Sequence, residues 1–135
     1  MKRITLLGVS IHTGIGVWHF FVPTLYGWND YLSAVPSELV NGIMATNFFF
    51  SLLMTLVGVL ALLHFFRHWD EPRTTRAFLI LLSVLWVVRV IYQALQPQGT
   101  MIPGLSVVLL LVFIMTAVLF VIPTSFLGGS KSDQQ

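Results

Sequence analysis

Three side chains in this sequence pair a chemically useful group with an apolar setting: Arg89, His12 and His19. Arg89 lies in residues 77–95, a stretch with no other charge that is long enough to cross a bilayer. An Arg at the centre of a membrane helix costs roughly 2.5 to 3.5 kcal/mol on insertion scales, so it is normally turned towards protein or water and given a partner. Such a guanidinium can hold an anion or polarise a carbonyl. His12 and His19 add proton transfer, because imidazole titrates near neutrality. That chemistry makes these two the candidate catalytic groups.

Their neighbours recur at helical spacing. Gly8, His12, Gly16, His19 and Pro23 fall on one stripe at 3.6 residues per turn, and its small residues let another helix approach closely. Asn47, Ser51, Met54, Thr55 and Gly58 form a second polar and small stripe. Trp86, Arg89, Tyr92, Gln93 and Gln96 share a third face. At a rise of 1.5 Å per residue, Arg89 is roughly 20 Å beyond Arg76, and His19 is roughly 24 Å beyond Arg3. His12 is roughly 13 Å in by the same count, and Asn47 comes near the outer surface. The expectation is a polar pocket in the outer half of the membrane. Arg89, Asn47, Tyr92, Gln93 and Trp86 would bind the ligand, His19 would line the pocket, His12 would lie at its floor, and Asp30 would reach its mouth.

The elements that must position these residues follow from composition. The 135 residues suffice for one domain, and 56% are hydrophobic against 9% charged, with a mean hydropathy of +0.88. That balance belongs to an integral membrane protein. Four uncharged stretches, 4–27, 42–66, 77–95 (broken only by Arg89) and 101–127, each approach or exceed the roughly 20 residues that span a hydrocarbon core. Backbone groups in lipid must be satisfied within the segment, and no stretch alternates as a barrel strand would. The fold class expected is therefore all-α, a four-helix transmembrane bundle in a single domain over residues 1–127. Residues 128–135 read as a disordered tail. Tyr31, Leu32, Val35 and Leu39 suggest a short interfacial helix in the first outer loop.

Charge orients the bundle. Lys2, Arg3, Arg67, Arg73, Arg76 and Lys131 all fall on one side if the N-terminus is cytoplasmic, and neither outer loop contains Lys or Arg. The positive-inside rule then places both termini in the cytoplasm and suits a bacterial inner membrane. The first stretch is too long for the apolar core of a signal peptide and lacks a good cleavage site.

Several functions are excluded or disfavoured. Cysteine is absent, which removes disulfides and thiolate chemistry. There is no paired carboxylate within the membrane, no nucleophile elbow and no glycine-rich phosphate loop, so hydrolysis and phosphoryl transfer lack support. The basic residues form no cluster of the size nucleic acid needs. His12 and His19 share a helix and cannot flank one haem, and His64 with His68 lacks an evident third metal ligand. No cofactor and no metal are expected.

Two readings remain. The first is an outward-facing pocket, built on Arg89, His19 and Asn47, for an anionic or carbonyl-bearing amphiphile such as a membrane lipid or a quinone-like molecule, with His-mediated proton transfer if chemistry occurs. The second makes the polar stripes helix-packing surfaces, in an accessory subunit of a larger membrane complex or in a homo-oligomer. A membrane His or Asn is often a hydrogen-bond partner between helices, which is the ordinary alternative for His12 and Asn47.

Overall fold

The first proline of the chain breaks the first expected span. In the computed structural model, which describes residues 1–100 and 102–128, helix α1 (Lys2–His19) ends in a tight turn in which Phe20 N–H and Phe21 N–H donate to Val17 O and Trp18 O. Pro23 then occupies the start of a new four-residue helix, α2 (Val22–Leu25). A proline has no N–H to donate and its ring clashes with the preceding turn, so it suits a helix start and weakens a helix interior. The expected stripe is thus helical from Gly8 to His19, and Pro23 leaves it.

Gly27, at φ 59°, turns the chain into α3 (Trp28–Tyr31), and only glycine adopts that conformation without strain. The short interfacial helix anticipated around Tyr31 to Leu39 is therefore divided. Its first part is α3, and Leu39 belongs to the next helix, α4 (Ser37–Arg67). Helix α4 begins just after Pro36, five residues ahead of the uncharged stretch, because polar Ser37 and Glu38 are ordinary first-turn residues. Helix α5 (Pro72–Leu95) starts on Pro72 for the same reason as α2, so Arg73 and Arg76 stand within it. Helix α6 (Leu105–Gly128) follows Gly104, at φ 81°, and continues through Pro123. Met101 and residues 129–135, which include Lys131 and most of the expected tail, lie outside the described residues.

All regular structure among the described residues is helical. Among the described residues three helices, α4, α5 and α6, are long and apolar enough to cross a membrane. Helix α1 is not among them, since its 18 residues include Lys2, Arg3, His12 and His19. The three long helices present large apolar side chains outward, including Leu53, Phe66, Val88, Leu95 and Val107. A water-soluble domain rarely exposes so many large apolar side chains, whereas hydrocarbon suits them.

The chain divides into two compact units, Val9–Leu62 and Met1–Gly8 with Leu63–Gln135. In the first, α1 and α4 approach through small residues. A Cβ at Gly16 would lie 2.8 Å from Thr55 N and 2.9 Å from Thr55 Oγ1. Ser51 and Met54 are buried on the same stripe of α4. In the second unit α5 packs on α6 through Leu79, Leu82, Trp86, Phe113 and Phe120, all nearly or wholly buried. Ser83 Oγ donates across this seam to Thr124 Oγ1 at 3.0 Å, since the Thr124 hydroxyl is itself donated to Phe120 O at 2.8 Å. Gly8 of α1 meets α6 closely, as a Cβ there would sit 3.1 Å from Leu119 Cβ.

Candidate functional site

Arg89 stands near the C-terminal end of α5, half-buried, in the second of these units. Its Nη2 donates to Gln98 Oε1, and its Cζ lies 4.5 Å from the centre of the Phe113 ring. Phe113 in turn meets Trp86, with ring centres 5.6 Å apart and planes tilted by 53°. A guanidinium over an aromatic face gains about 0.5 to 2 kcal/mol depending on desolvation. The side chain is thus held by an amide oxygen on one side and a ring on the other, both neutral.

One turn further on, Gln93 is almost completely buried, at 2% exposure. Its Nε2 donates to Gln98 O at 3.1 Å, and to Ser106 O and Ser106 Oγ at 3.3 Å each. Arg89 and Gln93 therefore grip the same residue, Gln98, one by its side chain and the other by its backbone. The turn that brings Gln98 back to α5 depends on Gly99, at φ 80°. A Cβ there would stand 3.0 Å from Leu105 Cγ and from Leu109 Cδ1. Of the other residues expected with Arg89, Trp86 is buried at the Phe113 contact, while Tyr92 is exposed on α5.

His12, His19, Asn47 and Asp30 belong to the Val9–Leu62 unit. His12 is fully buried, and its Nε2 donates to Met54 O at 3.1 Å, because a carbonyl oxygen can only accept. By the same logic His19 Nδ1 donates to Ile15 O of its own helix at 2.8 Å, and its ring meets Phe50 edge-on at 5.2 Å. Asn47 Nδ2 donates to His19 O at 2.9 Å, which satisfies a carbonyl at the end of α1 where no further helical N–H follows. Asp30 is exposed on α3, and its backbone oxygen accepts from Ser33 Oγ at 2.8 Å. The expected pocket would draw residues from both units, whereas the chemistry around Arg89 can be followed within one.

At the other end of α5, His64 and His68 take roles the sequence does not show. His64 Nε2 donates to Thr75 Oγ1 at 2.9 Å, and Thr75 Oγ1 in turn donates to Trp69 O at 3.1 Å. The His64 ring stacks on Phe78 at 5.3 Å, and His68 Nδ1 pairs with Glu71 at 2.9 Å. Among the described residues no three His, Asp or Glu side chains gather to hold a metal ion.

Gln98, Ser106 and Phe113 were not anticipated as partners of Arg89. Helical counting along one segment cannot place a residue beyond a proline, which removes Gln98. Phe113 is one apolar residue among many in α6, and Ser106 carries only the weak signal of a polar group at a helix start. No family model matches the chain, and neither a curated protein nor a solved structure matches it.

Proposed function

We propose that this is a four-span protein of a bacterial inner membrane, with both termini cytoplasmic, in which Arg89 holds the anionic or carbonyl-bearing head of a membrane amphiphile. The observation that supports the reading is the company Arg89 keeps. Its partners in its own unit, Gln98 and Phe113, leave the positive charge uncompensated. The acids among that unit's described residues are Asp70 and Glu71, which precede the opposite end of α5, and Glu71 is engaged with His68. A cation in an apolar helix favours an anion that can come to it. A lipid or a quinone-like molecule meets the requirement that the ligand be soluble in the same phase.

The topology rests on loop charge and on one bond. Lys2 Nζ donates to Phe66 O at 3.3 Å, so the start of α1 meets the end of α4. Two crossings between those residues would return the chain to one side, where Arg3, Arg67, Arg73 and Arg76 also lie by the positive-inside rule. The first crossing is then α1 continued by α2.

The experiment is native mass spectrometry of the protein released from its own membrane. Removing one partner of a buried charge contact typically costs about 2 to 5 kcal/mol. Arg89→Gln should therefore strip a bound amphiphile that His64→Gln retains. Equal retention by the two inserted variants would reject the reading. It would favour the packing alternative, an accessory subunit or homo-oligomer, for which the Val9–Leu62 unit offers some support. There the polar atoms of His12, His19 and Asn47 reach backbone carbonyls, as structural hydrogen bonds between and within membrane helices do.

A further inference from the structure

Gln93 asks for something that an anion alone cannot supply. Two of its three Nε2 contacts are to the carbonyl oxygens of Gln98 and Ser106, which accept and never donate. The amide therefore cannot be turned over. Its Oε1 is left buried without a hydrogen-bond partner. Buried carbonyl oxygens are nearly always satisfied, and one that is not calls for a specific explanation.

The position of this oxygen supplies one. Gln93 follows Arg89 by four residues on α5, so the two side chains share a face about one helical pitch, roughly 5.4 Å, apart. Gln98 covers both. Its Oε1 takes the Arg89 donor and its backbone oxygen takes Gln93 Nε2, yet no donor reaches Gln93 Oε1. Gln98 is itself exposed and uncharged, so it is a displaceable occupant of the guanidinium. An anionic oxygen in the place of Gln98 Oε1 would form a charge-assisted bond about twice as strong as the neutral one it replaces.

Resting on the Arg89 reading above, we infer that the head bound here is a lipid phosphodiester carrying its own hydrogen-bond donor, the phosphate meeting Arg89 and an O–H or N–H meeting Gln93 Oε1. Phosphatidylglycerol supplies the hydroxyl form of this chemistry and phosphatidylethanolamine the ammonium form. In both, the donor follows the phosphate by a short linker comparable with the Arg89 to Gln93 spacing. Arg89 selects charge, and Gln93 selects among heads of equal charge.

The test uses the full chain in detergent micelles and lipids with identical acyl chains. Phosphatidylglycerol and phosphatidylmethanol carry the same phosphodiester charge, and only the first has a donor. Phosphatidylethanolamine and phosphatidylcholine form the corresponding pair with and without N–H. Within each pair the donor-bearing lipid should bind about fivefold more tightly or better, the equivalent of one satisfied buried hydrogen bond. Equal binding within both pairs would overturn the inference, including the case in which water satisfies Gln93 Oε1. In Gln93→Met the ratios should fall to about one, and ratios kept at the wild-type value would also overturn it. Arg89→Gln should weaken every lipid. If Arg89→Gln weakens none, the Arg89 reading fails with it; if Arg89 matters but the wild-type pairs bind equally, only the donor requirement fails. Displacement of phosphatidylglycerol by its deacylated, water-soluble head at equal concentration would overturn the assignment to a lipid.

Discussion

A close helix approach in the Val9–Leu62 unit, at Gly58, can be tested with one methyl group. A Cβ placed at Gly58 would overlap Thr13 Oγ1, and it would lie 3.0 Å from Thr13 Cβ and 3.1 Å from His12 Cδ2. Rotating the Thr13 side chain does not relieve this. Its hydroxyl would have to leave Val9 O, which it meets at 2.8 Å, and its Cβ would stay where the backbone puts it. Helix α1 must then move off α4, which stretches the His12 Nε2 to Met54 O bond. Overpacking of this kind costs about 1 to 3 kcal/mol. Against it stands the gain of about 1 kcal/mol from replacing a helical glycine by alanine. Gly14→Ala isolates that gain, because a Cβ there meets nothing within 4 Å. We therefore expect Gly58→Ala to be less stable than Gly14→Ala by about 1 to 3 kcal/mol, measured by reversible unfolding in mixed micelles with increasing dodecyl sulfate. Equal stability of the two variants would refute the close approach of α1 and α4 at Gly58.

Other expectations follow from single contacts. Gln98→Ala removes the neutral occupant of Arg89, and phosphatidylglycerol should then bind several-fold more tightly in the same micelle titration. Gly99→Ala introduces a side chain at φ 80° against Leu105 and Leu109, so it should destabilise the protein by at least about 1 to 2 kcal/mol. Thr75→Val strands His64 Nε2–H and Trp69 O, at a cost of about 1 to 3 kcal/mol, whereas Thr75→Ser should retain most of the stability. The absence of cysteine makes topology easy to read. Thr100→Cys should react with an impermeant maleimide in intact cells, and Ser132→Cys only after lysis.

The parts of this molecule that were legible in the sequence are those set by local rules. The apolar runs that became α4, α5 and α6 follow from length and composition, and their starts moved to where Pro36, Pro72 and Gly104 allow a helix to begin. The tight approach at Gly16 follows from small residues at helical spacing. The expected stripe carries Pro23 inside a single helix over residues 4–27, although a proline there is itself a local signal for a helix break. What local rules cannot supply is which residue returns from a turn. Gln98 reaches Arg89 because Gly99 reverses the chain, and a count along one helix does not extend past that reversal.

Two kinds of polar contact in these apolar helices bear on whether the protein binds or reacts. His12, His19, Thr13, Asn47, Ser51 and Thr116 each reach a backbone carbonyl. Such an oxygen can accept a second hydrogen bond at little cost, but it cannot take a proton. The ring N–H that His12 donates to Met54 O, or His19 to Ile15 O, is therefore committed to the fold. Arg89 differs because its acceptor is the side-chain oxygen of Gln98, a residue of an exposed turn. That contact can be exchanged for a ligand without breaking a helix. Exchange of a neutral oxygen for an anionic one is a binding step that needs no proton to move, so under the proposed reading the Arg89 contact is suited to recognition of a lipid head rather than to catalysis.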